Sequence, residues 1–128
     1  MIDKSKIFII LSYIFVIYIS LLALIFIFQR SLMYFPVKEK ISKSFYKNTK
    51  LKIIDISTSD GLILKSLYKK SETNINKTIL VFHGNAGHIG HRVNKFKPFI
   101  DKGYGLLLLE YRGYGENKGK PTKLGLYK

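Results

Sequence analysis

The sequence predicts an α/β fold, in which a β-hairpin is followed by a parallel βαβ unit, behind one membrane-spanning helix. Three observations predict it: a long apolar run near the amino terminus, an Asp-Gly pair between two apolar segments, and two short apolar runs that each lead into a glycine-rich loop. The order hairpin, strand, helix, strand is typical of the opening of an α/β sheet. At 128 residues, the chain has room for one small domain beside the membrane segment.

The apolar run extends from Ile7 to Phe28 and contains no charged residue. A helix of this length, rising about 1.5 Å per residue, crosses a hydrocarbon core of about 30 Å. The run is longer than the apolar part of a signal peptide, and no small-residue cleavage motif follows it, so we expect an uncleaved anchor; a cleaved signal sequence is the alternative. Arg30, Tyr34 and Phe35 supply the polar and aromatic residues expected at a membrane interface.

The formal net charge of +14 raises the question of an anionic partner. Lys4 and Lys6 before the apolar run are outnumbered by the basic residues between 30 and 47, which favours a cytoplasmic carboxyl-terminal part. No zinc-ligand pattern, aromatic RNA-binding strand or basic helix accompanies the lysines, so we expect no nucleic-acid partner. Binding of anionic lipid headgroups beside the anchor is a simpler explanation for the lysines from Lys38 to Lys50, and a solvated basic surface is simpler still. There are no cysteines, which excludes disulfides and thiolate chemistry.

Composition divides the chain into three parts. Residues 1–30 form an amino-terminal tail and anchor, residues 31–49 form a polar, basic connector interrupted by Pro36, and residues 50–128 form the domain. We expect the domain to open with a hairpin, because an Asp-Gly pair between apolar runs is a strong turn signal and both turn positions favour positive φ. The predicted hairpin consists of a strand at residues 50–57, a turn at Asp60-Gly61 and a second strand at residues 62–68.

A βαβ unit follows the hairpin. The runs Thr78–Phe82 and Leu106–Leu109 are typical of strands buried on both faces of a sheet. Between them, the segment His88–Lys102 predicts a helix, because its apolar residues recur at positions i, i+4, i+7 and i+11. These residues are Ile89, Val93, Phe96 and Ile100. We expect Leu106–Leu109 to form an uncovered, apolar edge of the sheet, and Pro121-Thr122 to begin one more helix.

Each of the two apolar strands runs directly into a glycine loop. His83-Gly84-Asn85-Ala86-Gly87 follows the first strand, and Tyr111-Arg112-Gly113-Tyr114-Gly115 follows the second. A buried strand that breaks into a glycine loop and then a helix directs backbone N–H groups at one point. In acyl-transfer enzymes, such a point holds the developing oxyanion.

These loops, in this order and spacing, resemble the BEM46-like branch of the α/β-hydrolase superfamily, which includes membrane-anchored serine hydrolases. The resemblance extends from about residue 29 to the last residue. The segments that carry it, besides the two loops, are Gln29–Pro36, Ser59-Asp60-Gly61 and His91-Arg92. It implies the amino-terminal part of an α/β-hydrolase sheet, hydrolysis of acyl esters, and no cofactor.

The resemblance also implies roles for the loop residues. The loop after Phe82 would form half of an oxyanion hole, with the backbone N–H of Asn85 as the expected donor and that of Ala86 as the alternative. The residues expected to shape the two loops are His83, Gly84, Gly87, Arg112, Gly113 and Gly115. His83 is not the expected catalytic base. At position 110 the family often has an aspartate, where this chain has Glu110.

The family's nucleophile lies in a G-x-S-x-G motif on the following strand, with an acid and a histidine later still. No serine of this sequence has that pattern, and the three histidines crowd one loop–helix junction, so the chain contains neither nucleophile nor base. We therefore expect the front part of a serine hydrolase, inactive alone, that needs a second polypeptide carrying the triad. The alternative is a non-catalytic membrane-bound remnant or interaction protein.

Two other kinds of site are weaker hypotheses. His83, His88 and His91 suggest a metal cluster, but no carboxylate or cysteine at ligand spacing joins them, so we expect no metal. The first glycine loop lacks the lysine and hydroxyl of a P-loop, and Gly113-x-Gly115 is only a partial dinucleotide pattern that Pro121 disfavours. We therefore expect no nucleotide cofactor.

Overall fold

The computed structural model describes residues 3–72 and 74–128. The chain divides into two compact units, with the boundary between Met33 and Tyr34. The first unit is one helix, α1 (Lys4–Met33), of 30 residues, whose apolar side chains are exposed. The charge-free run from Ile7 to Phe28 lies wholly inside it. By length and composition α1 is a candidate membrane span.

The second unit contains a sheet, one helix packed on it and a short terminal helix. Its elements in chain order are β1 (Phe35–Pro36), a 3-10 turn (Lys43–Phe45), β2 (Lys52–Ser57), β3 (Ile63–Lys69), β4 (Thr78–Phe82), β5 (Ala86–Gly87), a 3-10 turn (Ile89–Arg92), α2 (Val93–Asp101), β6 (Gly105–Leu109) and α3 (Lys123–Leu126). The main sheet has the strand order β2-β3-β6-β4, and β1 and β5 form a separate two-stranded pair.

The expected hairpin and the expected parallel βαβ unit are both present. β2 and β3 pair antiparallel along their whole length, and β4 and β6 pair parallel, with Ile79 opposite Leu106. The turn between β2 and β3 is wider than a two-residue Asp-Gly turn, because the Thr58 N–H donates to the Leu62 carbonyl at 2.9 Å and closes a larger loop. Within it, Gly61 has a φ of 81° and Asp60 is not in the positive-φ region.

The expectation that Leu106–Leu109 forms an uncovered edge is wrong. β6 lies inside the sheet, because β3 pairs antiparallel with it on the side opposite β4. Leu106 and Leu108 are accordingly buried. The two edges are β2 and β4. The expectation that Thr78–Phe82 is buried on both faces is also wrong, because Leu80 and Phe82 on this edge strand are 53% and 58% exposed.

The core lies between the sheet and α2. Its buried members are Ile41, Leu51, Leu67, Ile89, Val93, Ile100, Leu106 and Leu108. The predicted helical stripe therefore packs inward as expected. The helix predicted from His88 begins as a 3-10 turn, since the His88 ring accepts the Gly90 N–H at 3.0 Å, and becomes α-helical at Val93. Gly103, with a φ of 87°, follows its last turn.

The segment expected as a connector, residues 31–49, contributes to the second unit. Ile41 belongs to the core, and Phe35–Pro36 pairs in parallel with Ala86–Gly87. At the other end of the chain, the helix expected after Pro121 is present as α3. The Thr122 hydroxyl caps it by accepting the Gly125 N–H at 3.0 Å.

Candidate functional site

The loop after β4 has an exposed centre between two fixed ends. Gly84, Asn85 and Ala86 are exposed, whereas His83 before them and His88 after them are buried. Because β4 ends where the loop begins, the loop lies at the carboxyl end of the parallel strands, the edge at which open α/β sheets bind their ligands. This places the backbone of residues 84–86 within reach of a ligand.

Side chains and backbone hold the first two carbonyls of this loop. The Gly84 carbonyl lies 2.6 Å from His83 Nδ1, and since a carbonyl can only accept, Nδ1 carries the proton in this contact. The Asn85 carbonyl accepts from the Tyr114 hydroxyl at 2.9 Å and from the Phe35 N–H at 2.8 Å. Strand β1 and the second glycine loop thus meet at one peptide group.

The third carbonyl is held as well, because Arg92 Nη2 donates to the Ala86 oxygen at 2.7 Å. The described residues contain no cis peptide bond. In a trans peptide, the carbonyl of one residue and the N–H of the next point in opposite directions. The N–H groups of Asn85 and Ala86 therefore point away from the groups that bind the Gly84 and Asn85 carbonyls. The three contacts together fix the orientation of the loop backbone.

A buried contact between a histidine and a carboxyl group lies beneath the loop. His83 Nε2 is 2.6 Å from Glu110 Oε1, and both side chains are inaccessible to solvent. Glu110 also accepts the Ile89 N–H at 2.9 Å, and its own N–H donates to the Ser66 hydroxyl at 3.2 Å. One carboxylate at the end of β6 therefore ties the start of the loop to the turn that follows it. A buried charge needs partners of this kind.

Glycines of the second loop allow this close packing. Gly115 has a φ of 55°, and a Cβ there would lie 3.0 Å from Glu110 Oε2. Gly113 has a φ of 79°, and a Cβ there would lie 2.7 Å from Pro121. Side-chained residues would be strained at both positions. Tyr114 between them is 1% exposed, and burial, followed by the nearby Tyr34, raises the pKa of its hydroxyl.

Arg112 makes a separate connection. Its two terminal nitrogens donate to the two Asp60 oxygens at 2.7 and 2.9 Å, which joins the second glycine loop to the hairpin turn. Hydrogen bonds from Arg112, and next from the Thr58 hydroxyl, hold the pKa of the Asp60 carboxyl well below its usual 3.8. A two-pronged contact of this kind fixes orientation as well as distance.

The rings of the remaining two histidines lie against each other, tilted by 36°. The ring centroids of His88 and His91 are 3.9 Å apart, and His88 is fully buried. Burial, and secondly the neighbouring His91, lower the pKa of His88. Across residues 3–72 and 74–128, no three His, Cys, Asp or Glu side chains are grouped closely enough to hold a metal ion.

An open hollow of about 590 Å³ adjoins the end of β4. That volume lies in the range of small-molecule sites. Phe82 at the end of β4 and Tyr111 after β6 stack in its wall, with centroids 6.4 Å apart. Its other lining residues are Tyr34, Lys123, Leu126, Tyr127 and Lys128.

Sequence patterns identified the loop and missed most of what supports it. Tyr114 and Arg92 lie in the motifs that carry the family resemblance, but the sequence predicts no contact between either residue and the loop. For Phe35, which lies in another of these motifs, the sequence predicts only a position at a membrane interface. Glu110 carried one usable signal, because a carboxylate that directly follows a buried apolar strand needs a buried partner. The structure identifies that partner as His83.

Comparison with known proteins identifies the class. No family model matches the chain. Its fold is similar to that of an esterase from Pyrococcus furiosus, Pf2001, with a TM-score of 0.55 at 21% identity over 73% of this chain and 36% of the esterase. The second unit therefore has an α/β-hydrolase-like fold.

Two curated relatives identify the family. The chain is 35% identical over 113 residues to the α/β hydrolase domain-containing protein WAV2 of Arabidopsis thaliana, and 33% identical over 118 residues to protein bem46 of Schizosaccharomyces pombe. These matches cover 83% and 84% of this chain, and 37% and 40% of the relatives. The chain belongs to the BEM46-like α/β hydrolases and spans about two fifths of the length of these relatives.

Proposed function

We propose that this chain supplies the membrane-anchored, oxyanion-binding part of a serine hydrolase that cleaves acyl esters. The observation that carries the proposal is the support of three consecutive loop carbonyls, at Gly84, Asn85 and Ala86, which fixes the backbone of an exposed loop at the carboxyl end of β4. A preorganised donor of this kind contributes about 3–4 kcal/mol to transition-state stabilisation. The candidate span α1 would hold the site at a membrane.

The nucleophile, acid and base would come from polypeptide outside these 128 residues. No serine of the chain lies in a G-x-S-x-G motif, and more than half of each relative's length has no counterpart here. Strand β4, which leads into the loop, is the edge of the sheet and carries no charge. A further parallel strand placed there would end beside the loop, where an attacking serine is needed.

The experiment is covalent labelling with a fluorophosphonate probe, which reacts with activated serines. Membranes containing the full chain are compared with membranes that also contain the product of any neighbouring reading frame encoding G-x-S-x-G. We expect labelling only in the second case, and on the second polypeptide. Labelling of that polypeptide at the same rate without this chain would refute the proposed role.

Backbone variants test the donor itself. Ala86→Pro and Asn85→Pro each remove one N–H, whereas Asn85→Ala removes a side chain and keeps the N–H. Removing the true donor is expected to slow labelling by about 10²–10³, while Asn85→Ala leaves the rate nearly unchanged. Thermal unfolding of each variant separates a lost donor from a lost fold.

A non-catalytic role is the second candidate. The exposure of β4 favours it, because an exposed edge strand can bind a partner without chemistry. Co-purification of the second polypeptide with the chain, without fluorophosphonate labelling of either, would support this role over the first.

A further inference from the structure

Net positive charge is densest in one segment of this chain. Residues 38–52, called here the basic segment, contain six lysines and one glutamate, whereas residues 53–128 contain eleven lysines, two arginines and six carboxylates. Net positive charge per residue is thus more than three times as dense in the basic segment. A uniformly lysine-rich composition does not account for that difference.

The basic segment has no neutralising partners in the described part of the chain. Its lysines are all exposed, and the ion pairs among residues 3–72 and 74–128 involve other groups. The six are Lys38, Lys40, Lys43, Lys47, Lys50 and Lys52. Their charges are therefore available to an external anion.

Two hollows bring some of these lysines together on the two faces of edge strand β2. Lys40, Lys43 and Lys65 line a hollow of about 680 Å³ that also includes Ile53 and Glu116. On the other face, a hollow of about 530 Å³ includes Ile54 and a single carboxylate, Glu72. The lysines that line it are Lys50, Lys52, Lys69 and Lys70. Positive charge predominates in both hollows.

We propose that the basic segment binds the surface of an anionic lipid leaflet. It begins five residues after α1 ends, so a bilayer that contains α1 lies within reach of its lysines. Clusters of four to eight basic residues beside a membrane span are attracted to acidic headgroups, and the attraction falls off within a Debye length. A nucleic acid is the less suitable anion, because the lysines flank a strand edge and lie on neither a basic helix nor an aromatic strand. This proposal is independent of any hydrolase activity.

The test uses the full chain in lipid nanodiscs of phosphatidylcholine, alone or with about a third phosphatidylglycerol. Lysines are acetylated for short times, and the modification rate of each is read by mass spectrometry. We expect several-fold slower modification of the basic segment in the anionic discs. The rates of Lys95 and Lys102, exposed lysines in and directly after α2, should stay unchanged as internal controls. About 1 M salt, where the Debye length is about 3 Å, should remove the protection.

Two results would overturn the proposal. One is equal modification rates of the basic segment in both kinds of disc. The other is equal protection in zwitterionic discs by a DNA duplex at the same phosphate concentration, which would make the segment a general polyanion-binding surface. The triple variant Lys38→Gln, Lys40→Gln, Lys43→Gln should weaken lipid protection of Lys50 and Lys52, whereas Lys95→Gln should not.

Discussion

The candidate oxyanion loop and the strand that leads into it differ sharply in how the protein covers them. The loop rests on buried groups, since the side chains of Glu110 and His83 are inaccessible and Tyr114 is 1% exposed. Strand β4 is the sheet edge, and its outward side chains are more than half exposed. The backbone of the loop is therefore held by buried groups of this chain, while the strand that leads into it is exposed.

The opposite edge of the sheet sharpens this contrast. β2 contains Lys52 and Asp55. Charged side chains on an edge strand oppose pairing with a further strand, and natural sheets commonly use them for this purpose. β4 has the sequence Thr-Ile-Leu-Val-Phe, with no charge and no proline. One edge is protected from strand addition, and the edge beside the candidate site is not.

The largest effect is expected from the buried contact between His83 and Glu110 under the loop. Glu110→Ala leaves His83 without its carboxyl partner and the Ile89 N–H without its acceptor. Leaving each of these two buried groups unsatisfied costs about 1–3 kcal/mol. Chemical unfolding of the full chain in detergent, followed by circular dichroism, measures the change. The exposed Glu116→Ala is the control, with a cost below about 0.5 kcal/mol. Equal losses in both variants would contradict a supporting role for Glu110.

A smaller and pH-dependent effect is expected from His88. Burial lowers its pKa below the usual 6.5. At pH values below 6.5, the unfolded chain binds a proton that the folded protein resists, so stability falls as the pH falls, by at most about 1.4 kcal/mol per pH unit. His88→Asn keeps an acceptor for the Gly90 N–H and does not titrate. Unfolding between pH 7 and 5 should therefore be less pH-dependent in the variant than in the wild type. An unchanged slope would mean that other groups dominate this range.

Tyr114→Phe tests one hydrogen bond of the loop. The variant keeps the buried ring and loses the donor to the Asn85 carbonyl, at a cost of about 0.5–1.5 kcal/mol. Amide hydrogen exchange should also accelerate across residues 84–87. Tyr127→Phe, which removes a hydroxyl from a side chain that is 84% exposed, should change neither. Unchanged exchange in Tyr114→Phe would show that Phe35 and Arg92 suffice to hold the loop.

Local sequence patterns were sufficient to predict the strands, but they were not sufficient to predict the order of the strands in the sheet. Apolar runs predicted β4 and β6, and the helical stripe of Ile89, Val93 and Ile100 packs as expected. The position of β6 inside the sheet was not predictable this way, because it depends on an antiparallel pairing with β3 that no periodicity records. Chain order alone made the last strand look like the edge.

The supports of the site were hidden for the same reason. The contact between Tyr114 and Asn85 joins residues 29 positions apart, and the Asp60–Arg112 pair joins residues 52 apart. Glycine loops can be recognised in the sequence, because a positive φ or a close approach of the backbone to other atoms requires glycine at that position. The groups that hold such a loop belong to residues that are distant in the sequence. Phe35, whose N–H donates to the Asn85 carbonyl, lies in the segment that is expected to be only a connector.

The smallest effect on stability, and the most direct probe of the open edge, is expected from Leu80→Lys. Leu80 is 53% exposed on β4, so a lysine there should change the free energy of unfolding by no more than about 0.5 kcal/mol. It should nevertheless reduce association, because a charge on an edge strand opposes strand addition. Light scattering of the detergent-solubilised chain measures this, and Leu124→Lys, at a leucine that is 77% exposed outside the sheet, is the matched control. Equal association of both variants and the wild type would show that β4 is not an adhesive edge. A loss confined to Leu80→Lys would identify β4 as the edge through which the chain associates.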